Sequence, residues 1–72
     1  MYTYQRLRDL REDKDKKQEE IAAVLGITRQ QYQLYESGKR ELPMHHFKTL
    51  ARYYNVSLDY LAGMIDTPKP LN

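Results

Sequence analysis

Arg29 and Gln30 stand side by side, and Gln33 and Leu34 follow at the next helical turn. An arginine can bond bidentately to O6 and N7 of guanine. A glutamine can do the same to N6 and N7 of adenine, and a leucine can touch the methyl group of thymine. Such side chains read bases only when they share the outward side of a rigid element. Other reactive residues in the chain do not combine. His45 and His46 are neighbours, and on a helix neighbours point about 100° apart, so both are expected on the solvated surface, with no metal site. Glu19 and Glu20 fail as a catalytic pair for the same reason. No serine, histidine and acid set has a supporting motif, and there is no glycine-rich phosphate loop. We expect no enzyme and no cofactor.

The elements that must position Arg29, Gln30, Gln33 and Leu34 lie between Gln18 and Gly38, in QEEIAAVLGITRQQYQLYESG. Ile21, Ala22, Val24 and Leu25 repeat at helical spacing. Gly26 can take positive φ and end that helix, and Ile27 follows as an apolar plug. Thr28 is a good N-cap for a second helix, 28–37, and Gln31 completes a capping box. Tyr32 and Tyr35 give this helix an apolar side, with the Tyr32 ring inside and its hydroxyl at the rim. Arg29, Gln30, Gln33 and Leu34 lie off that side. Ala22 is small where the two helices would cross. A helix, a tight turn and a helix with a polar outer face can place the second helix in the major groove of DNA.

The bulk properties set bounds. Seventy-two residues are expected to form one domain. With no cysteine there is no disulfide or thiolate metal site, which suits a reducing cytoplasm. No apolar run is long enough to span a membrane, and no export signal is apparent. Net charge is only +2, which alone says little about nucleic acid. Its distribution says more: between Ile21 and Tyr35 there is Arg29 and no acid.

The rest of the chain reads as supporting helices. Tyr4, Leu7, Leu10 and Arg11 share one face of a first helix within 1–14. Asp15 is expected to cap the second helix, with Gln18 three residues on. Lys16 and Lys17 oppose that helix's dipole unless they meet phosphate. Pro43 suits the first turn of a fourth helix, in which Met44, Phe47, Leu50, Ala51 and Tyr54 repeat, with Asn55 as a left-handed stop. Ser57 caps a fifth helix ending at Gly63; Val56, Leu58 and Leu61 should fill the core. The expected domain is 1–63. Residues 64–72 form a tail, in which Pro68 and Pro70 forbid a regular element.

Gln18, Ala22, Gly26, Ile27, Thr28, Tyr35, Glu36, Gly38, Lys39 and Arg40, in this order, resemble the Cro/C1-type (XRE, lambda-repressor-like) helix-turn-helix family. The likeness extends through LRDLREDK before and LPMHHFKTLARYYNVSLDYLAG after. It implies an all-α, five-helix lambda-repressor-like fold. It also implies sequence-specific binding of double-stranded DNA by a transcriptional regulator, most simply a repressor. By the resemblance Arg29, Gln30 and Leu34 read bases from the first, second and sixth helix positions. Gln33 and Gln31 are secondary base candidates. Gln18, Lys39 and Arg40 would meet the DNA backbone, with Lys17, Thr28 and Gln31 as further backbone candidates. Arg11 and Glu36 would form a structural ion pair, beside the structural Ala22 and Gly26. Lys16 and Lys17 depart from the pattern, which usually has an apolar residue and then Ser or Thr there. One recognition helix reads few base pairs, so a homodimer on a pseudo-palindrome is expected, its half-sites roughly 34 Å apart. Tyr60, Met64 and Ile65 are the candidate dimer surface. No small-molecule effector is expected. The alternative is a protein-interaction or antitoxin module on the same fold, with DNA binding secondary or lost.

Overall fold

A computed structural model describes residues 4–66. Among them are five helices and no strand: α1 (Gln5–Asp13), α2 (Gln18–Leu25), α3 (Arg29–Glu36), α4 (Met44–Tyr54) and α5 (Leu58–Leu61). The expected start of α1 at Met1 and the proline-rich end of the tail lie outside the described residues.

All five helices stop by one device. A residue with positive φ follows each: Asp15 (55°), Gly26 (72°), Gly38 (80°), Asn55 (56°) and Gly63 (82°). The next N–H then reaches back to the carbonyl five residues earlier. These bonds are Lys16 to Arg11 (3.0 Å), Ile27 to Ala22 (3.0 Å), Lys39 to Leu34 (3.0 Å), Val56 to Ala51 (3.0 Å) and Met64 to Asp59 (2.8 Å). Each bond satisfies a carbonyl that the helix end would leave open. Asp15 therefore terminates α1 and does not cap α2, which corrects the sequence expectation. A left-handed turn points the chain away before α2 begins, and aspartate tolerates that conformation better than most residues.

The starts are more varied. The Thr28 hydroxyl accepts the Gln31 N–H at 3.1 Å, and Gln31 Oε1 accepts the Thr28 N–H at 3.0 Å, so the capping box of α3 is complete. The Ser57 hydroxyl accepts the Tyr60 N–H at 3.1 Å and caps α5. At α2 the N-cap is Lys17, whose side chain has no acceptor to offer the helix; its own N–H is satisfied by Glu20 Oε1 at 3.2 Å. Lys16 turns to Glu20 at 3.8 Å, so an acid in the first turn offsets the lysine charges. Pro43 is the N-cap of α4, one position before the expected first turn, and its carbonyl accepts the His46 and Phe47 N–H groups.

One residue from each helix is fully buried at the centre: Leu7, Ile21, Tyr32, Leu50 and Leu61. Leu10, Ala22, Leu42, Ala51, Tyr54 and Val56 complete the core, with Leu58 packed against it. α2 packs on α3 and α4, α4 on α5, and α1 on α3 and α5. Ala22 on α2 is buried. Two core expectations fail on α4. Met44 is exposed, whereas His46 is buried, its ring 5.9 Å from Tyr35 and 4.1 Å from His45 between centroids. The histidines therefore do not both sit on the solvated surface. The Tyr32 hydroxyl is also inside, not at the rim.

Candidate nucleic-acid interface

α3 has two sides with different tasks. Its inner side carries Tyr32, wholly buried, and Glu36. Its outer side carries Arg29 and Gln30, both exposed, and Leu34, half-buried one turn on. The first two make no side-chain ion pair or hydrogen bond among the described residues. Three side chains able to engage base edges are thus held together and left uncommitted.

Glu36 fastens the inner side. Arg11 from α1 donates to it through Nε and Nη2, both at 2.9 Å, in a bidentate fork. The third arm of Arg11, Nη1, donates to the Lys16 carbonyl at 2.9 Å and holds the turn between α1 and α2. Gln18 adds Nε2 to Glu36 Oε1 at 3.2 Å. One carboxylate therefore ties α1 and the start of α2 to α3. Burial pushes the Glu36 carboxyl up, but the hydrogen bonds from Arg11 and Gln18 and the Arg11 charge outweigh it and hold the group below the usual carboxylate range. The same contact raises Arg11 further. The Tyr32 hydroxyl lies beside this carboxylate without completing a hydrogen bond of standard geometry; burial first, and the negative neighbour second, push it well above its ordinary pKa. Burial does the same to Tyr54. His46 is displaced downward by burial and then by His45.

The remaining candidates surround α3. Lys39 and Arg40 are exposed directly after it. Thr28 and Gln31 are engaged with each other at its start. Gln18 opens α2 and Lys17 is exposed just before it. Gln33, half-buried, lines a hollow of about 270 Å³ with Arg8, Arg11, Gln18, Glu36 and Ser37. Arg8 and Ser37 escape sequence reading. Arg8 belongs to a polar helix face with nothing to single it out until α1 is seen beside α3.

Arg6 also escaped it. Its guanidinium lies 4.4 Å over the Tyr60 ring and donates to the Ile65 carbonyl (3.2 Å) and Asp66 Oδ1 (3.3 Å). This holds the segment after α5 against α1. Met64 within that segment is exposed and Ile65 half-buried. No group of three or more His, Cys, Asp or Glu side chains able to hold a metal ion occurs among the described residues. No helix there is long and apolar enough to cross a membrane.

Comparison with known proteins agrees with this geometry. The chain matches the helix-turn-helix family over residues 7–61. It is 39 % identical over 66 residues to the uncharacterized HTH-type transcriptional regulator YobD of Bacillus subtilis, covering 92 % of this chain and 59 % of that one. It is 32 % identical over 62 residues to the cryptic phage CTXphi transcriptional repressor RstR of Vibrio cholerae, covering 86 % and 56 %. It is 40 % identical over 57 residues to the SPbeta prophage-derived uncharacterized HTH-type transcriptional regulator YonR of Bacillus subtilis, covering 79 % and 53 %. The chain thus spans little more than half the length of these relatives. No solved structure matches it.

Proposed function

This chain belongs to the Cro/C1-type helix-turn-helix family, and from that premise we propose that it binds double-stranded DNA sequence-specifically and regulates transcription, most simply as a repressor. The observation that carries the reading is the division of α3. Its inner side is fastened by Tyr32 and Glu36, and its outer side offers Arg29, Gln30 and Leu34 with no structural duty. In this reading α3 lies in the major groove, Arg29 bonds guanine, Gln30 bonds adenine and Leu34 meets a thymine methyl, with Gln33 as a secondary base contact. Lys39 and Arg40 on one flank and Lys17, Gln18, Thr28 and Gln31 on the other grip phosphates and set register. Gln18 does so through its backbone N–H at the start of α2, since its side chain is turned to Glu36.

The DNA-reading unit is 1–63, and 64–72 is a tail. Two copies bind a pseudo-palindrome, and the surface around Tyr60, Met64 and Ile65 joins them. The setting is the cytoplasm, and the reading includes no small-molecule effector.

The test is fluorescence anisotropy of labelled duplexes across a salt series, followed by selection of a preferred site from a random pool. Binding constants should fall linearly in log–log form with salt, the slope counting phosphate contacts. Arg29→Ala should relax discrimination at one base pair by about 1–3 kcal/mol. No binding at low salt by folded protein would refute the reading and favour a protein-interaction module.

A further inference from the structure

α4 turns a basic side outward. The stretch from Leu42 to Leu58 contains no Asp or Glu. Lys48 and Arg52, one turn apart, are exposed and make no side-chain ion pair or hydrogen bond among the described residues. With buried Ala51 and with half-buried Leu58 of α5 they line a hollow of about 200 Å³. At 100° per residue, Lys48 and Arg52 stand about 160° and 120° round α4 from His46, which faces Tyr35 of α3. The hollow is therefore on the side of α4 turned from α3, outside the surfaces that the DNA-binding reading uses.

α2 carries the complementary relief. Its outward side is Glu19, Glu20, Ala23 and Val24, all exposed, opposite the buried Ile21 and Ala22. Glu19 makes no side-chain ion pair or hydrogen bond among the described residues, and Glu20 meets Lys16 at 3.8 Å and the Lys17 N–H. Val24 is one of four large apolar side chains exposed among the described residues. One helix thus offers an apolar knob beside two carboxylates, and another an apolar hollow rimmed by two cations. We propose that the hollow receives the outward side of α2 from a second copy of this chain, with Val24 against Ala51 and Leu58, and Glu19 and Glu20 opposite Lys48 and Arg52. The contact is heterologous: each copy gives its α2 at one place and its hollow at another, so copies can add in succession. It is separate from the two-fold surface around Tyr60, Met64 and Ile65, and it does not depend on the DNA-binding reading. A patch this small makes a transient contact, and exposed charges make it sensitive to salt.

Sedimentation velocity of the 72-residue chain, from micromolar to millimolar concentration at low salt, reads the contact. The weight-average sedimentation coefficient should keep rising past that of a dimer, and high salt should reverse the rise. A two-fold contact alone would level off at the dimer. Arg52→Glu and Glu19→Lys each set like charges against each other and should weaken the further association about tenfold or more. Val24→Ala should weaken it about fourfold. All three positions are exposed, and circular dichroism confirms that each variant is folded. An equimolar mixture of Arg52→Glu and Glu19→Lys should recover the association, because each acidic α4 then finds a basic α2 and each unaltered α4 an unaltered α2. Wild-type protein that stops at monomer or dimer at low salt would overturn the inference and leave the hollow to an acidic segment of another protein. Association indifferent to salt would also overturn it, as would either charge variant associating like the wild type, or a mixture no better than its components.

Discussion

Replacing Arg11 by methionine strands the Glu36 carboxylate. The wild-type side chains are 14 % and 6 % exposed, and they meet through two hydrogen bonds of 2.9 Å. Removing one partner of a buried pair costs about 3–5 kcal/mol, because the other charge stays desolvated. The loss also frees the Lys16 carbonyl from its donor. A domain of this size has a total stability of roughly 4–11 kcal/mol. The variant should therefore lose a large share of it, and the melting temperature should fall by roughly 12 °C or more at about 4–8 °C per kcal/mol. Circular-dichroism melts and urea titrations read both quantities. Adding Glu36→Gln to the Arg11→Met background removes the stranded charge, and the double variant should be more stable than Arg11→Met alone. Arg8→Met supplies the scale, because the Arg8–Glu12 pair is 61 % and 54 % exposed at 3.4 Å and is worth at most about 1 kcal/mol. An Arg11→Met loss no larger than that of Arg8→Met would refute the assignment of Arg11 as the tie between α1 and α3.

Three further outcomes are expected. Glu36 sits below its usual pKa because its hydrogen bonds from Arg11 and Gln18 and the Arg11 charge outweigh burial, so the stability it contributes is complete above the unfolded carboxyl value of about 4.3 and is lost as pH falls through its lower folded value. His46, lowered by burial and by His45, acts in the same direction higher on the scale: stability is complete above about pH 6.5 and declines below it. Urea midpoints from pH 8 downward should show both descents, and His46→Gln should remove the upper one. Thr28→Ala removes the acceptor for the Gln31 N–H and should cost about 1 kcal/mol in a urea melt. Gly26→Ala meets no atom within 4 Å, so its cost should be the left-handed backbone alone, about 1–2 kcal/mol in the same assay.

The helix order and both glycine- and asparagine-ended stops were legible because they depend on local chemistry. Gly26, Asn55, Thr28 and Ser57 act within their own turn. The Arg11–Glu36 pair came from the family likeness; nothing local announces a contact 25 residues apart. The misreadings lie where local rules balance. Met44 and His46 flank the α4 stripe on either side of Tyr54, each about 80° from it at 100° per residue. Hydropathy favours Met44. What faces each position decides otherwise, since His46 has the Tyr35 ring to pack against. Asp15 has both an N-capping side chain and a tolerance of positive φ, and the backbone used the second. The hollow beside α3 is made by residues from separated segments, such as Arg8 with Gln33, and no spacing rule brings those together.

The division of α3 has a consequence for how such a protein can change. Arg29 and Gln30 support nothing in the fold: the cap is Thr28 with Gln31, the tie is Glu36, and the packing is Tyr32. Exchanging an exposed residue without structural partners shifts stability by at most about 0.5 kcal/mol. If Arg29 and Gln30 read bases as proposed, the identity of the favoured base can drift by single substitutions that no folding constraint opposes. The domain behaves as a fixed socket with replaceable letters, and descendants sharing its scaffold need not share its address.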